Sequence, residues 1–280
     1  MEKAIKRWSP LFVLPTLLAF TIGFIIPFFE GLYLSFCQFT TVKNAKFTGF
    51  GNYKKIFSDL TFLSSFKFTV LFAVASIVLI NVIAFALALL LTRKLKGTNI
   101  FRTIFFMPNL IGGIVLGYIW QLLLNGILMK FSRTLTYSST FGFWGLVILM
   151  CWQQIGYMMI IYIAGIQNIP GELIEAAEID GATKRQVLKS VTIPMVMPSI
   201  TVCTFLTLTN SFKLFDQNLA LTNGEPSKMS EMLALNIFST FYGRAGYEGV
   251  GQAKAVIFFI LVAAIALTQN YLTRRKEVQQ

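Results

Sequence analysis

Glu175-Ala176-Ala177-Glu178-Ile179-Asp180-Gly181-Ala182 lies at the centre of the most densely charged stretch of the chain, Glu172–Lys189. No charge occurs between Arg133 and Glu172, or between Lys189 and Lys213. Each flank is long enough to hold a membrane-crossing helix, since roughly 20 apolar residues span the hydrocarbon. The octapeptide therefore reads as a polar helical segment pushed out of an apolar bundle. A segment so placed has something to touch, and it is read as a docking element for a separate, soluble partner.

Working outward, charge-free runs recur at Trp8–Phe29, Phe68–Thr92, Thr103–Met129, Thr134–Gly171, Ser190–Phe212 and Ala255–Thr273. Of the 280 residues 55% are hydrophobic and only 13% charged, against about a quarter charged in a soluble domain. The runs lack the alternation of a barrel, and backbone in lipid must be satisfied internally. The expected fold is an all-α membrane protein of six transmembrane helices with a cytoplasmic helix–turn–helix docking loop.

The net charge of +12 does not point to nucleic acid, because the 24 Lys and Arg are scattered over the ends of the spans. With the N-terminus inside, about 13 basic residues fall on the inner side and about 11 on the outer. The inner ones crowd into short segments: Lys3/Lys6/Arg7, Arg93/Lys94/Lys96/Arg102, Lys184/Arg185/Lys189 and Arg274/Arg275/Lys276. Density favours both termini inside. The first run is too long for a signal-peptide core and no small-x-small site follows it, so an uncleaved first span is expected. Cys37, Cys151 and Cys203 have no metal-ligand spacing and read as small buried hydrophobes.

The expected order is helix 1 at about residues 11–35, then an outer turn and short interfacial helix around Phe47–Phe57. Helix 2 covers about 67–92, helix 3 runs to about Leu124, and helix 4 ends near Asn168. The inner loop takes 169–194, helix 5 runs to about 216, an outer loop spans 217–250, and helix 6 ends at about Arg274. No internal repeat is present, so the chain is one membrane domain.

Within the inner loop, Pro170 suits a first helical turn. Glu172, Glu175 and Glu178 put negative charge near the positive end of that helix, and Leu173, Ala176 and Ala177 make an apolar face beside them. Gly181 suits the left-handed end of the helix. Thr183 with Gln186 matches a capping box opening a second helix, Lys184–Thr192. Pro194 and Pro198 turn the chain back into the membrane. An amphipathic loop lying on headgroups is the plain alternative, and the acidic first helix weighs against it.

Glu175-Ala176-Ala177, then Gly181, then Ile193-Pro194 resembles the EAA loop of bacterial ABC importer permeases, and EAAEIDGA followed by IP is similar to their carbohydrate branch. Trp152 with Gly156-Tyr157-Met158-Met159, and Leu221-Thr222-Asn223-Gly224 with Pro226, resemble the maltose-type permease. Trp8-Ser9-Pro10 through Pro27, and Phe50-Gly51-Asn52-Tyr53, are similar to the lactose, multiple-sugar or glycerol-phosphate kind. The pattern departs at Glu225, where a second glycine is usual. The resemblance covers nearly the whole chain and implies a single ABC importer transmembrane domain over 1–280, with a docking loop at about 169–194. It also implies a second permease subunit, two copies of a cytoplasmic ATPase, and an extracellular or periplasmic sugar-binding protein. Glu172, Glu175, Ala176, Ala177, Asp180 and Gly181 would meet the ATPase.

A sugar site needs hydrogen-bonding groups and aromatic faces in a cavity between helices. Asn109 with Gly113 one turn later on helix 3, Gln153, Gln154 and Tyr157 on helix 4, and Thr207, Asn210, Ser211 and Leu214 on helix 5 are the candidates. Gln153, Gln154, Tyr157, Thr207, Ser211 and Leu214 align with sugar-lining positions of the maltose-type permease, and only Tyr157 keeps the residue type. Asn81 reads as a helix-to-helix bond, Gly112-Gly113 as a close helix contact, and Lys213 and Asp216 as exposed interfacial charges.

No G-x-x-x-x-G-K-[ST] occurs and the chain has no His, so ATP is left to partner subunits and zinc proteases of the H-E-x-x-H type are excluded. No catalytic residue, metal site or cofactor of its own is expected. The rival class is an ion-coupled secondary transporter, weakened because only Glu30 and Asp216 are carboxylates near a span. A polytopic membrane enzyme has no paired catalytic groups to name.

Overall fold

In lipid an apolar run without internal hydrogen bonds is ruinous, and these runs fold as helices. The computed structural model describes residues 2–93 and 96–274. Lys94, Arg275 and Lys276, used above for orientation, lie outside them.

The chain opens with α1 (Glu2–Phe20), a π turn and α2 (Ile26–Leu34), then a small hairpin of β1 (Cys37–Gln38) and β2 (Lys46–Phe47), then α3 (Gly51–Phe57). There follow α4 (Leu60–Leu91), α5 (Thr98–Phe106), α6 (Gly113–Leu128) and α7 (Ser139–Gln167). The charged loop holds α8 (Gly171–Ile179), α9 (Lys184–Val187) and the single turn α10 (Ile193–Met195). Then come α11 (Met197–Phe212), α12 (Asp216–Leu221), α13 (Leu233–Gly243) and α14 (Glu248–Arg274). Five stretches are long and apolar enough to cross a membrane unaided: Leu11–Leu34, Leu60–Leu91, Gly113–Phe131, Ser139–Gln167 and Glu248–Thr273. A sixth is a bent pair, Lys184–Met195 with Met197–Phe212, meeting at 67°.

Several boundaries differ from those expected. Helix 2 opens at Leu60 rather than at about 67. Helix 3 is not continuous, for α5 ends at Phe106 and a 3-10 turn, Met107–Leu110, precedes α6. Pro108 lacks a backbone donor, and Gly112 takes an extended conformation (φ −61°, ψ 140°) before α6 begins. Lipid tolerates such a turn only where its polar groups find partners, and the Ile111 carbonyl accepts from Gln153 Nε2 at 3.3 Å. Helix 5 stops at Phe212, short of 216. The outer segment 217–250 is largely helical rather than loop, with Asn218, Ala220 and Leu221 of α12 buried.

The chain divides into two compact units, Met1–Leu60 with Ile237–Phe259, and Thr61–Asn236 with Ile260–Gln280. In the first, the Asn52 carboxamide donates to the Ser35 and Cys37 carbonyls at 2.9 and 2.8 Å, tying α3 to the hairpin. Gly249 lets the start of α14 run beneath the Cys37 carbonyl, where any Cβ would collide. Lys254 of α14, wholly buried, donates to Asp59 Oδ2 at 2.7 Å and Thr240 Oγ1 at 2.8 Å. The pair leaves no local trace in the sequence, because the partners are 195 residues apart.

In the second unit α7 is the central helix. Gly142, Gly145, Leu149, Met158 and Tyr162 are among its buried residues. Gly156 admits α5 so closely that a Cβ would overlap the Phe105 carbonyl. The Tyr162 hydroxyl donates to Asn81 Oδ1 at 2.7 Å, and Asn81 Nδ2 donates to Thr207 Oγ1 at 3.3 Å. That chain joins α4, α7 and α11, each bond contributing about 0.6 kcal/mol in a membrane protein.

Candidate functional site

A run of buried carboxamides forms where the break after α5, the middle of α7 and the start of α12 converge. Gln153 is 5% exposed. It donates to the Ile111 carbonyl and accepts from Gln217 Nε2 at 2.9 Å. Gln154, 9% exposed, accepts from Asn210 Nδ2 of α11 at 3.4 Å. Half-buried Tyr157, one turn further, presents its ring to Phe106 at 6.4 Å between centroids. Trp152 meets Trp120 of α6 edge to face at 5.6 Å.

Gln153, Gln154, Tyr157 and Asn210 are thus brought together. Gly113 joins them as the first residue of α6, where a Cβ would sit 2.7 Å from Asp216 Cβ and 3.1 Å from Gln217 Cδ. Gly112, read as its partner in a close contact, has no atom within 4 Å of a Cβ built on it, so that contact belongs to Gly113 alone. Asn109 lies in the 3-10 turn, half-buried, not one helical turn below Gly113.

The helix 5 candidates divide. Thr207 and Ser211 are fully buried, and their hydroxyls donate to the Cys203 and Thr207 carbonyls one turn back, at 2.8 and 2.7 Å. Leu214 is buried but lies past the end of α11, so the three do not share one helical face as the spacing implied. Lys213 and Asp216 are exposed. Sequence reasoning missed Gln217, which it left in an outer loop.

Beside the carboxamides, a cavity of about 370 Å³ is lined by Ile83 and Leu87 of α4, Phe105 and Pro108, and Trp152 and Ile155 of α7. Its walls are apolar. The hollow offers van der Waals surface, whereas the hydrogen-bonding groups lie in the carboxamide cluster.

The charged loop forms a helix, a turn and a second helix. Pro170 is the N-cap of α8 rather than part of its first turn. Gly181 takes φ +78°. Thr183 N donates to Gln186 Oε1 at 2.7 Å and Gln186 N to Thr183 Oγ1 at 3.4 Å, closing the capping box of α9. The second helix widens to a π turn at Leu188–Thr192. Glu172, Glu175, Ala176, Asp180 and Gly181 are exposed, whereas Ala177 is half-buried and faces inward more than its neighbour. Ile179 is 85% exposed.

Residues 80–278 match the model of the family described as the binding-protein-dependent transport system inner membrane component. The chain is 46% identical, over 97% of its length and 96% of that protein, to the probable starch degradation products transport system permease protein AmyD of Thermoanaerobacterium thermosulfurigenes. It is 30% identical, over 98% of its length and 97% of that protein, to the multiple sugar-binding transport system permease protein MsmF of Streptococcus mutans. Among solved structures, it shares the fold of a chain of the bacterial alginate ABC transporter in complex with alginate pentasaccharide-bound periplasmic protein. There the TM-score is 0.80 at 21% identity, over 98% of this chain and 97% of that one. By the match over residues 80–278 and its near full-length relatives, the chain belongs to the binding-protein-dependent transport system inner membrane components.

Proposed function

We propose that this chain is a pore-forming subunit of an ATP-driven carbohydrate importer, taking up starch-derived or similar oligosaccharides. The observation that carries the reading is the near full-length likeness to a starch degradation products permease. The carboxamide cluster agrees with it. Each Gln or Asn offers both donors and an acceptor, the pattern a sugar hydroxyl matches. Tyr157 and the Trp120–Trp152 pair supply aromatic faces.

The chain acts as a single transmembrane domain in the bacterial inner membrane, both termini cytoplasmic. It pairs with a second permease to enclose the pathway, receives sugar from an external binding protein, and rests on two copies of a cytoplasmic ATPase. ATP is bound by those partners, and the chain carries no cofactor. Asn109, Gly113, Gln153, Gln154, Tyr157, Thr207, Asn210, Ser211 and Leu214 belong to the pathway. Glu172, Glu175, Ala176, Ala177, Asp180 and Gly181 form the docking surface. Closure of the ATPases moves that loop and swings the helices from inward- to outward-facing. A ligand shifts such an equilibrium only through differential affinity, so ATP and the loaded binding protein both favour the outward state.

The test is uptake of labelled maltotriose into proteoliposomes holding the whole complex, with ATP on the ATPase side. The expected result is uptake that needs ATP and ignores ionophores. Uptake driven by an ion gradient without ATP would establish the ion-coupled rival. Single cysteines at residues 178 and 228 in a Cys-free background test orientation, the first reacting only from the cytoplasmic side.

A further inference from the structure

Gln217 stands beside the buried Gln153 and is itself only half-buried. Gln153 behind it is held from both ends, its Nε2 donating to the Ile111 carbonyl and its Oε1 accepting from Gln217. The Oε1 of Gln217 accepts no hydrogen bond from the described residues. The side chain reaches Gln153 across Gly113, and a methyl there would stand 3.1 Å from both Cδ and Oε1 of Gln217. The glycine is thus what lets the first turn of α12 present this group to the site.

We propose that Gln217 is a specificity-determining residue of the transport pathway. The amide edge that it lends to Gln153 in this structure is the edge that a sugar hydroxyl takes when substrate occupies the site. The inference rests on the carbohydrate reading above and adds to it a residue outside the expected set. The exchange balances. A hydroxyl that accepts from Gln217 Nε2 in place of Gln153 donates its own proton to the Gln153 Oε1 so released, and no buried group is left unpaired. Gln153, held on its other side by the Ile111 carbonyl, keeps its orientation meanwhile.

The competing role is a brace that only fastens α12. Gln121 performs that role elsewhere, donating from α6 to the Leu221 carbonyl at the far end of α12, 3.1 Å away. The pair allows a test. The complete transporter, with saturating binding protein, is assayed in proteoliposomes for uptake of maltose and of maltotriose. Gln217→Ala is expected to change the ratio of the two rates by about threefold or more, the scale of one hydrogen bond, with complex yield kept. Gln217→Asn, which retains the amide, is expected to lie between Gln217→Ala and the parent. Gln121→Ala is expected to lower both rates together and leave the ratio alone. An unchanged ratio in Gln217→Ala, or an equal change in Gln121→Ala, overturns the assignment while the carbohydrate reading stands. Absence of maltose and maltotriose uptake by the unsubstituted complex overturns both.

Discussion

Gly156→Ala is the substitution that most directly probes how the site is held. A Cβ at this position overlaps the Phe105 carbonyl and stands 2.8 Å from the Phe106 nitrogen. These are backbone atoms, so no rotamer relieves the contact. A methyl settles at about 3.5 Å from such neighbours, so Phe106 N retreats by about 0.7 Å and the Phe105 carbonyl by more. The displaced segment leads into the turn carrying Ile111, whose carbonyl meets Gln153 at 3.3 Å and has no slack. Overpacking of this kind costs about 1–3 kcal/mol, and the lost interhelical bond about 0.6 kcal/mol more. Better helix propensity returns up to about 1 kcal/mol, leaving a net loss of about 1–3 kcal/mol. Gly126→Ala in α6 is the matched control, for nothing lies within 4 Å of a Cβ there. The assay is thermal unfolding of the detergent-extracted complex, read beside maltotriose uptake. Gly156→Ala should melt lower and transport less, and Gly126→Ala should do neither. Equal melting of Gly156→Ala and the parent would refute the reasoning.

Asp59→Asn strands the buried Lys254 ammonium with a neutral partner and should destabilise by about 3–5 kcal/mol, measured by the same melting assay. Replacing both residues, Asp59→Leu with Lys254→Met, should cost less than Asp59→Asn alone, and the reverse order would contradict the assignment of the cost to an unpaired charge. Gly181→Val at φ +78° should cost about 1 kcal/mol or more in backbone strain, because nothing crowds a Cβ there to share the blame. Coupling should suffer while extraction yield does not, and uptake equal to the parent would mean that this turn has no demanding geometry. Tyr157→Ala combined with Gln154→Ala should reduce uptake and leave assembly with the ATPase intact, with unchanged uptake kinetics as the contrary result.

Much of the architecture is legible in charge and hydropathy, because lipid permits few ways to satisfy a backbone. The cap of α9 was readable too, since Thr183 and Gln186 act within one turn and need no distant partner. Interruptions inside the membrane were harder to see. The run Thr103–Met129 carries no charge, so hydropathy is silent about the turn at Met107–Leu110; Pro108 and Gly112 were the available signals. Gln217 was missed for a related reason. Polar residues were sought within spans, and α12 was read as outer loop although its Leu221 is wholly buried. Lys254 was counted as an outer charge because pairing with a residue 195 positions away leaves no local trace. Thr207 and Ser211 show what spacing leaves unread, since hydroxyls inside a helix can bond to their own carbonyls one turn back.

On the importer reading proposed above, the 67° bend between α10 and α11 is where motion of the charged loop would enter the bundle. At its vertex Val196 is fully buried, and hydrogen bonds continue on both sides, from Val196 N to the Thr192 carbonyl and from Ile200 N to the Val196 carbonyl, each 3.0 Å. Val196 Cγ1 also lies 3.5 Å from a Cβ built on Gly165 of α7, so the vertex is packed as well as bonded. An elbow so bonded and packed is expected to act as a crank, with two arms that turn together, rather than as a joint that would absorb the motion. Asn210 lies 14 residues beyond the vertex, about 21 Å along α11 at the usual helical rise. A rotation of about 10° imposed on the Lys184–Met195 arm would sweep Asn210 through about 4 Å, more than enough to part it from Gln154. The stiffness of one corner would thus set the gain with which a small push on the charged loop is felt at the carboxamides.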